Sequence, residues 1–295
     1  MTDSLKLFEM RARVIYHYAC RYGVEHTPYE VNGEWSPEAF VRTCHAGFAM
    51  AQHLIVDELI TLHQRQRELT TQLGIVRRER DKASQNKIKQ LLGTEKFKEQ
   101  VIRKLADSIA WQLLRNQNYI ARRLYIGEDS PPSIDKSNLA SVVKVINELN
   151  AKDPLSFALI SDTTSFIQVG DVLRIHHNGI EIIEVKEGEK NLQAITILES
   201  LEESSEIEEK KLAGEHGQDL AKQITRMSRQ QKRAQRAVNV LNTGSGPDTS
   251  TGIPIQVKDV EFPESKYLSD LKNLFEELND KYTDPQKLDH KLRWI

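Results

Sequence analysis

The stretch from Gly170 to Gly188, GDVLRIHHNGIEIIEVKEG, constrains this chain more than any other. It sets two runs rich in Val, Ile and Leu on either side of Asn178-Gly179. Asn-Gly is the strongest short-range hairpin signal, because it tolerates positive φ at both turn positions. Taken as a two-residue loop, it pairs His177 with Ile180, Ile175 with Ile182, Leu173 with Glu184 and Asp171 with Lys186. Opposed residues share a face of the sheet, and side chains alternate faces along each strand. Asp171, Glu184 and Lys186 therefore fall on one face, together with Leu173, Ile175 and Ile182. Val172, Ile183 and Val185 fall on the other. Both faces are apolar enough to be covered. The three ionisable groups are then partly desolvated, and they need pairing or a bound ion.

Helical patterns surround the hairpin. Residues from about 4 to 20 read as a helix, and YGVEHTPYEVNGEWSP interrupts it. Ser36-Pro37 with Glu38 opens a second, with Ser36 as cap and Pro37 in the first turn. The stripe Leu62, Leu69, Leu73 and Val76 continues it toward Gln90 as one long helix or a helical hairpin. Its role is that of a packed accessory region or of an arm for a second copy or partner protein. A further helix is expected from Glu95 to Leu124, and another over NLASVVKVINELN. SFALISD reads as a strand ending at Asp162, ESLEESSEIEEKK as a solvated acidic segment, and GQDLAKQITRMSRQQKRAQRAVNVLN as a strong helix. IPIQVKDV reads as a last strand and YLSDLKNLFEELNDKY as a last helix. The predicted order is an α/β core at 137–262, preceded by an all-helical region at 1–126 and followed by a helical segment at 263–295.

Two close carboxylates suit a hard divalent cation such as Mg2+ or Mn2+, which takes oxygen ligands and keeps waters. A neighbouring lysine can orient a nucleophile or stabilise charge on phosphorus. The plainer alternative is a cross-strand Asp171–Lys186 ion pair with Glu184 as a solvated neighbour.

GDVL followed by IEIIEVKEGEKN resembles the core of the PD-(D/E)XK, or restriction-endonuclease-like, nuclease superfamily. The resemblance covers roughly Asn138 to Val260. It implies a restriction-endonuclease-like fold, a mixed central sheet flanked by helices, and a magnesium-dependent phosphodiesterase. Asp171 and Glu184 would be metal ligands and Lys186 the catalytic lysine, with DNA as the substrate and restriction, defence or repair as the setting. Gly170 stands where the family name has proline. Gln231, in the apolar stripe of the strong helix, is placed toward the acids; some members of the superfamily carry a glutamine there, followed by a tyrosine four residues on, where this chain has Gln235. Asp162 is a further candidate metal ligand or a turn former, and Asp107 and Glu148 are candidate acids from preceding helices.

Arg226, Arg229 and Arg233, with Lys222 and Arg236, form a basic row that suits phosphate contacts or a solvated face. Trp111 and Tyr119 read as core residues. Net charge is -2, which neither requires nor excludes nucleic acid. Cys20 and Cys44 lack metal-ligand spacing and read as small buried residues of a reducing compartment. No Walker loop or Gly-x-Ser-x-Gly elbow is present. The first residues lack a signal-peptide run, and nothing approaches the roughly 18 apolar residues of a membrane span. A cytoplasmic protein that acts on nucleic acid without a membrane is expected. The alternative is a non-catalytic binding module of the same fold, acting through its long helices.

Overall fold

Ser36 starts the element that organises the molecule. Its Oγ accepts from the Ala39 N–H at 3.4 Å, and Pro37 takes the first helical position. In the computed structural model, residues 3–28, 36–115, 121, 124–125, 138–200, 214, 217–247 and 252–256 are described. Helix α1 (Asp3–Tyr16) leads through a π-helical turn (His17–Arg21) into α2 (Tyr22–His26). Helix α3 (Pro37–Arg78) and α4 (Lys82–Leu113) form an antiparallel hairpin. Arg80 turns it at φ 61°, and Asp81 caps α4 by accepting from the Ser84 N–H at 3.1 Å. The predicted stripe is therefore a hairpin, and its second helix starts at Lys82 rather than Glu95.

Helix α5 (Leu139–Lys152) precedes strands β1 (Phe157–Ile160), β2 (Val172–His176) and β3 (Gly179–Ile183). These form an antiparallel sheet in sequence order. One face packs Phe157, Leu159, Leu173 and Ile180 against Phe48, Ile55, Leu59, Ile102 and Ile109 of the hairpin. The other packs Ala158, Ile160 and Val172 against Val142 and Ile146 of α5 and Val56 of α3. Both faces are covered, so truncating Ile160 to alanine is expected to cost about 2–5 kcal/mol. The helices of the first third and the sheet thus share one core, within a unit spanning Met1–Val257. A second unit, Lys258–Ile295, lies outside the described residues, as does the predicted last helix.

Helix α6 (Glu189–Ser200) packs Ala194 against Ala221, Ile224 and Met227 of α7 (Gln218–Thr243). The strand after it does not join the sheet. Strand β5 (Pro254–Gln256) pairs with β4 (Ser245–Pro247) in a separate ladder. The mixed central sheet expected from the sequence is, among the described residues, a three-stranded antiparallel one.

The physical reason lies at the sheet's edges. An open edge presents unpaired N–H and C=O groups. On β1, Asn150 Oδ1 accepts from the Ala158 N–H at 2.7 Å, and Gln52 Oε1 accepts from the Ile160 N–H at 2.8 Å. On β3, Asn242 of α7 accepts from the Ile180 N–H at 2.8 Å and donates to its carbonyl at 3.0 Å. Helix-borne carboxamides occupy both edges where further strands would pair. Among the described residues, no helix is long and apolar enough to cross a membrane.

Candidate active site

The hairpin register differs from the sequence expectation by two residues. His176 pairs with Gly179 and Ile175 with Ile180, so the loop is His177-Asn178. Neither loop residue has positive φ; Gly179 has φ 126° instead. A Cβ at Gly179 would collide with Asn242, whose two bonds to Ile180 lock this register. A slip of two residues preserves which side chains share a face. The ladder ends at Val172 and Ile183, so Asp171, Glu184 and Lys186 lie just past its last pair, where Glu184 and Lys186 both act on the Asp171 charge. The Asp171 N–H donates to the Ile183 carbonyl at 3.0 Å, and Asp171 Oδ2 accepts from the Val185 N–H at 2.6 Å.

Gly170 has φ 72°, and a Cβ there would collide with the Ile182 side chain. Proline holds φ near about −65°. The glycine before Asp171 is thus required by the backbone, and a proline has no place here.

Asp162 sits in a 3₁₀ turn (Ser161–Thr163) at the end of β1, beside the start of β2. Three acids therefore gather at one end of the sheet. Burial, then the charge of Asp171, pushes the Asp162 carboxyl up to about 6; Arg103 opposes this and Glu184 adds to it. Burial also raises Asp171, opposed by the Val185 N–H and Lys186 and reinforced by Glu184. The donor oxygens of the three acids do not all fall within 4.8 Å of one another. Lys186 Nζ donates to Glu184 Oε2 at 2.7 Å. The ion pair that the plainer alternative drew between Asp171 and Lys186 is made between Glu184 and Lys186 instead.

Lys186 Nζ also donates to Gln230 Oε1 at 3.4 Å. Gln231, expected in the buried stripe of α7, is exposed, because the buried positions run Ile224, Met227, Ser228, Ala234 and Ala237. Both glutamines line a cleft of about 480 Å³ with Glu184, Lys186, Glu199 and Gln235. Gln230 also borders an open cleft of about 420 Å³ lined by Lys222, Arg226, Arg229 and Arg233. Among the described residues no carboxylate pairs with Arg226, Arg229 or Arg233.

Reading the sequence alone misses the supports of this site. Arg103 of α4, 3% exposed, donates from Nη1 to the carbonyls of Asp162 (2.6 Å) and Thr164 (3.1 Å). Its Nε donates to Glu99 at 2.9 Å. Burial pushes Glu99 up, but hydrogen bonds from His63, Gln66 and Arg103, and the Arg103 charge, prevail and hold it at about 2. Asp107, one turn on, accepts from the Ser165 N–H at 2.7 Å and the Ser165 hydroxyl at 2.6 Å. Its carboxylate fixes the loop after Asp162. Glu148 is exposed on α5, and Trp111 stacks on Phe166 at 5.1 Å. Tyr119 and the acidic EESSEIEE run lie outside the described residues. Comparison with models of protein families, with curated proteins and with solved structures finds no match to the chain.

Proposed function

We propose that the chain is a metal-dependent nuclease that hydrolyses phosphodiester bonds, with DNA the substrate that the resemblance implies. The observation that carries this reading is the meeting of Asp162, Asp171, Glu184 and Lys186 at one end of the sheet. The donor set fits a hard divalent cation. It is all oxygen, and a positive charge offsets the desolvation and the like-charge repulsion that raise Asp162 and Asp171. Asp171 and Glu184, with Asp162, would hold Mg2+ or Mn2+. Such an ion would polarise a phosphoryl oxygen and make a bound water more acidic.

The chain's own groups supply the rest. Lys186 is held between Glu184 and Gln230. From there its ammonium donates to a water or a phosphate oxygen as charge builds on phosphorus. Gln230 orients that ammonium, and Gln231 contributes an amide to the same cleft. Arg226, Arg229 and Arg233 hold flanking phosphates without reading sequence. The reduced thiols Cys20 and Cys44 suit a cytoplasmic setting.

One observation favours a second reading, a binding module without catalysis. The Glu184–Lys186 pair is already closed at 2.7 Å, which occupies the lysine with a carboxylate of its own site. Incubating the full chain with single-stranded DNA, duplex DNA and RNA, with Mg2+, Mn2+ or chelator, separates the two. Cleavage that needs the ion supports the nuclease. A folded protein that binds a nucleic acid and leaves it intact in every condition supports the module.

A further inference from the structure

A second cluster of donors stands on the N-terminal helices, built from residues other than the acids of the sheet. The π-helical turn His17–Arg21 widens the local register from four residues toward five. Tyr22 thereby comes beside His17, with ring centroids 6.1 Å apart. One α-turn later His26 stacks on the Tyr22 ring at 4.2 Å and stands nearly perpendicular to the His17 ring, with centroids 5.7 Å apart. Glu25 completes the group. Its Oε2 lies 3.4 Å from His17 Nδ1, and its Oε1 accepts from Arg21 at 2.5 Å. One ring nitrogen of each histidine and one Glu25 oxygen all lie within 4.8 Å of one another. Among the described residues this is the single such trio of His, Cys, Asp or Glu donors.

Three features favour an ion here over a chance meeting of polar side chains. Two imidazoles and a carboxylate are the donor set of zinc sites that keep one position open. Tetrahedral coordination at about 2.1 Å places donors about 3.4 Å apart, which the His17–Glu25 separation of 3.4 Å already meets. The His26 tautomer is also set. Its Nδ1 lies 3.1 Å from the Tyr22 carbonyl, which only accepts, so Nδ1 carries the proton and Nε2 presents its lone pair.

The scaffold is stiff. A Cβ at Gly23 would collide with Cys44 Sγ, and one at Gly47 would lie 2.6 Å from the Tyr18 carbonyl and 2.9 Å from Tyr22 Cβ. The backbones of α2 and α3 meet closely at both glycines, which holds the ligand-bearing turn against the long helix.

We propose that His17, Glu25 and His26 form a site for a zinc-class divalent ion, bound by His26 through Nε2, with a fourth position open to solvent. Imidazole donors select zinc over magnesium. The site is thus distinct in its ion from the oxygen donors on the sheet, and it stands whether or not the chain is a nuclease.

The test is calorimetric titration of the full chain with Zn2+ and with Mg2+, supported by the visible absorption of bound Co2+. Wild type, His26→Gln, His17→Gln and Asp171→Asn are compared after circular dichroism confirms that each is folded. Zinc is expected to bind one site of the wild type and of Asp171→Asn alike. Each histidine substitution is expected to weaken it at least about tenfold and to remove the tetrahedral cobalt band. Absence of zinc binding, binding unchanged in both histidine variants, or loss confined to Asp171→Asn would overturn the proposal. His26 is exposed, so its variant keeps the test decisive if His17→Gln fails to fold.

Discussion

The Arg103 guanidinium donates to the main-chain carbonyl of Asp162 at 2.6 Å, across 59 residues of sequence. A helix of the N-terminal hairpin thus fixes the turn that carries a candidate metal ligand. Arg103→Ala leaves Glu99 half-buried without its charged partner and frees the Asp162 and Thr164 carbonyls. Unfolding in urea is expected to show a loss of about 3–5 kcal/mol. A loss below about 1 kcal/mol would show that the turn is held by other contacts.

Asp162 gives the molecule a pH dependence of definite sign. Its folded pKa, about 6, stands above its ordinary value of 3.8. The folded state therefore binds the proton more tightly than the unfolded one. This contribution favours folding at low pH and is lost as pH rises from about 4 through about 6. In chelator, Asp162→Asn is expected to stabilise the protein at pH 8 by about 1–2 kcal/mol and to change little at pH 4. An equal effect at both pH values would contradict the assignment.

Gly170 tests the backbone before the first acid. Proline cannot reach φ 72°, and the Ile182 side chain fills the space a ring needs. Gly170→Pro is expected to cost about 3 kcal/mol or more in urea unfolding. A variant as stable as wild type would show that this turn adopts another conformation.

The basic row predicts a salt dependence. Duplex DNA binding, measured by fluorescence anisotropy in chelator, is expected to weaken when Arg226, Arg229 and Arg233 are all changed to alanine. The slope of log affinity against log salt should shrink by about 2–3, one phosphate contact per arginine. An unchanged slope would make the row a solvated face.

How far the sequence could be read follows from the range of the forces involved. The alternation that sets Leu173, Ile175 and Ile182 on one face and Val172 and Ile183 on the other was legible because it is local, and a slip of two leaves it intact. The register itself was not, since Asn242 sets it from 62 residues away. Ser36-Pro37 marked its helix start correctly, because capping is also local. Helix α6 escaped notice among the charges around it. Its apolar signal, Ala194, Ile195, Ile197 and Leu198, is short and packs on α7. Gln230 and Gln231 were separable only by the tilt of α7, and Arg103 was one cation among many until the fold placed it under Asp162. The fourth strand failed to join for a reason no periodicity carries: Asn242 occupies the edge of β3.

The most direct measurement is single-turnover cleavage of labelled DNA by the full chain in Mg2+ or Mn2+, with Lys186→Ala and Asp171→Ala alongside. The account predicts cleavage by the wild type that stops in chelator and falls at least about a hundredfold in each folded variant. Cleavage that persists in both variants, or a folded wild type that cuts no DNA in either ion, would contradict it.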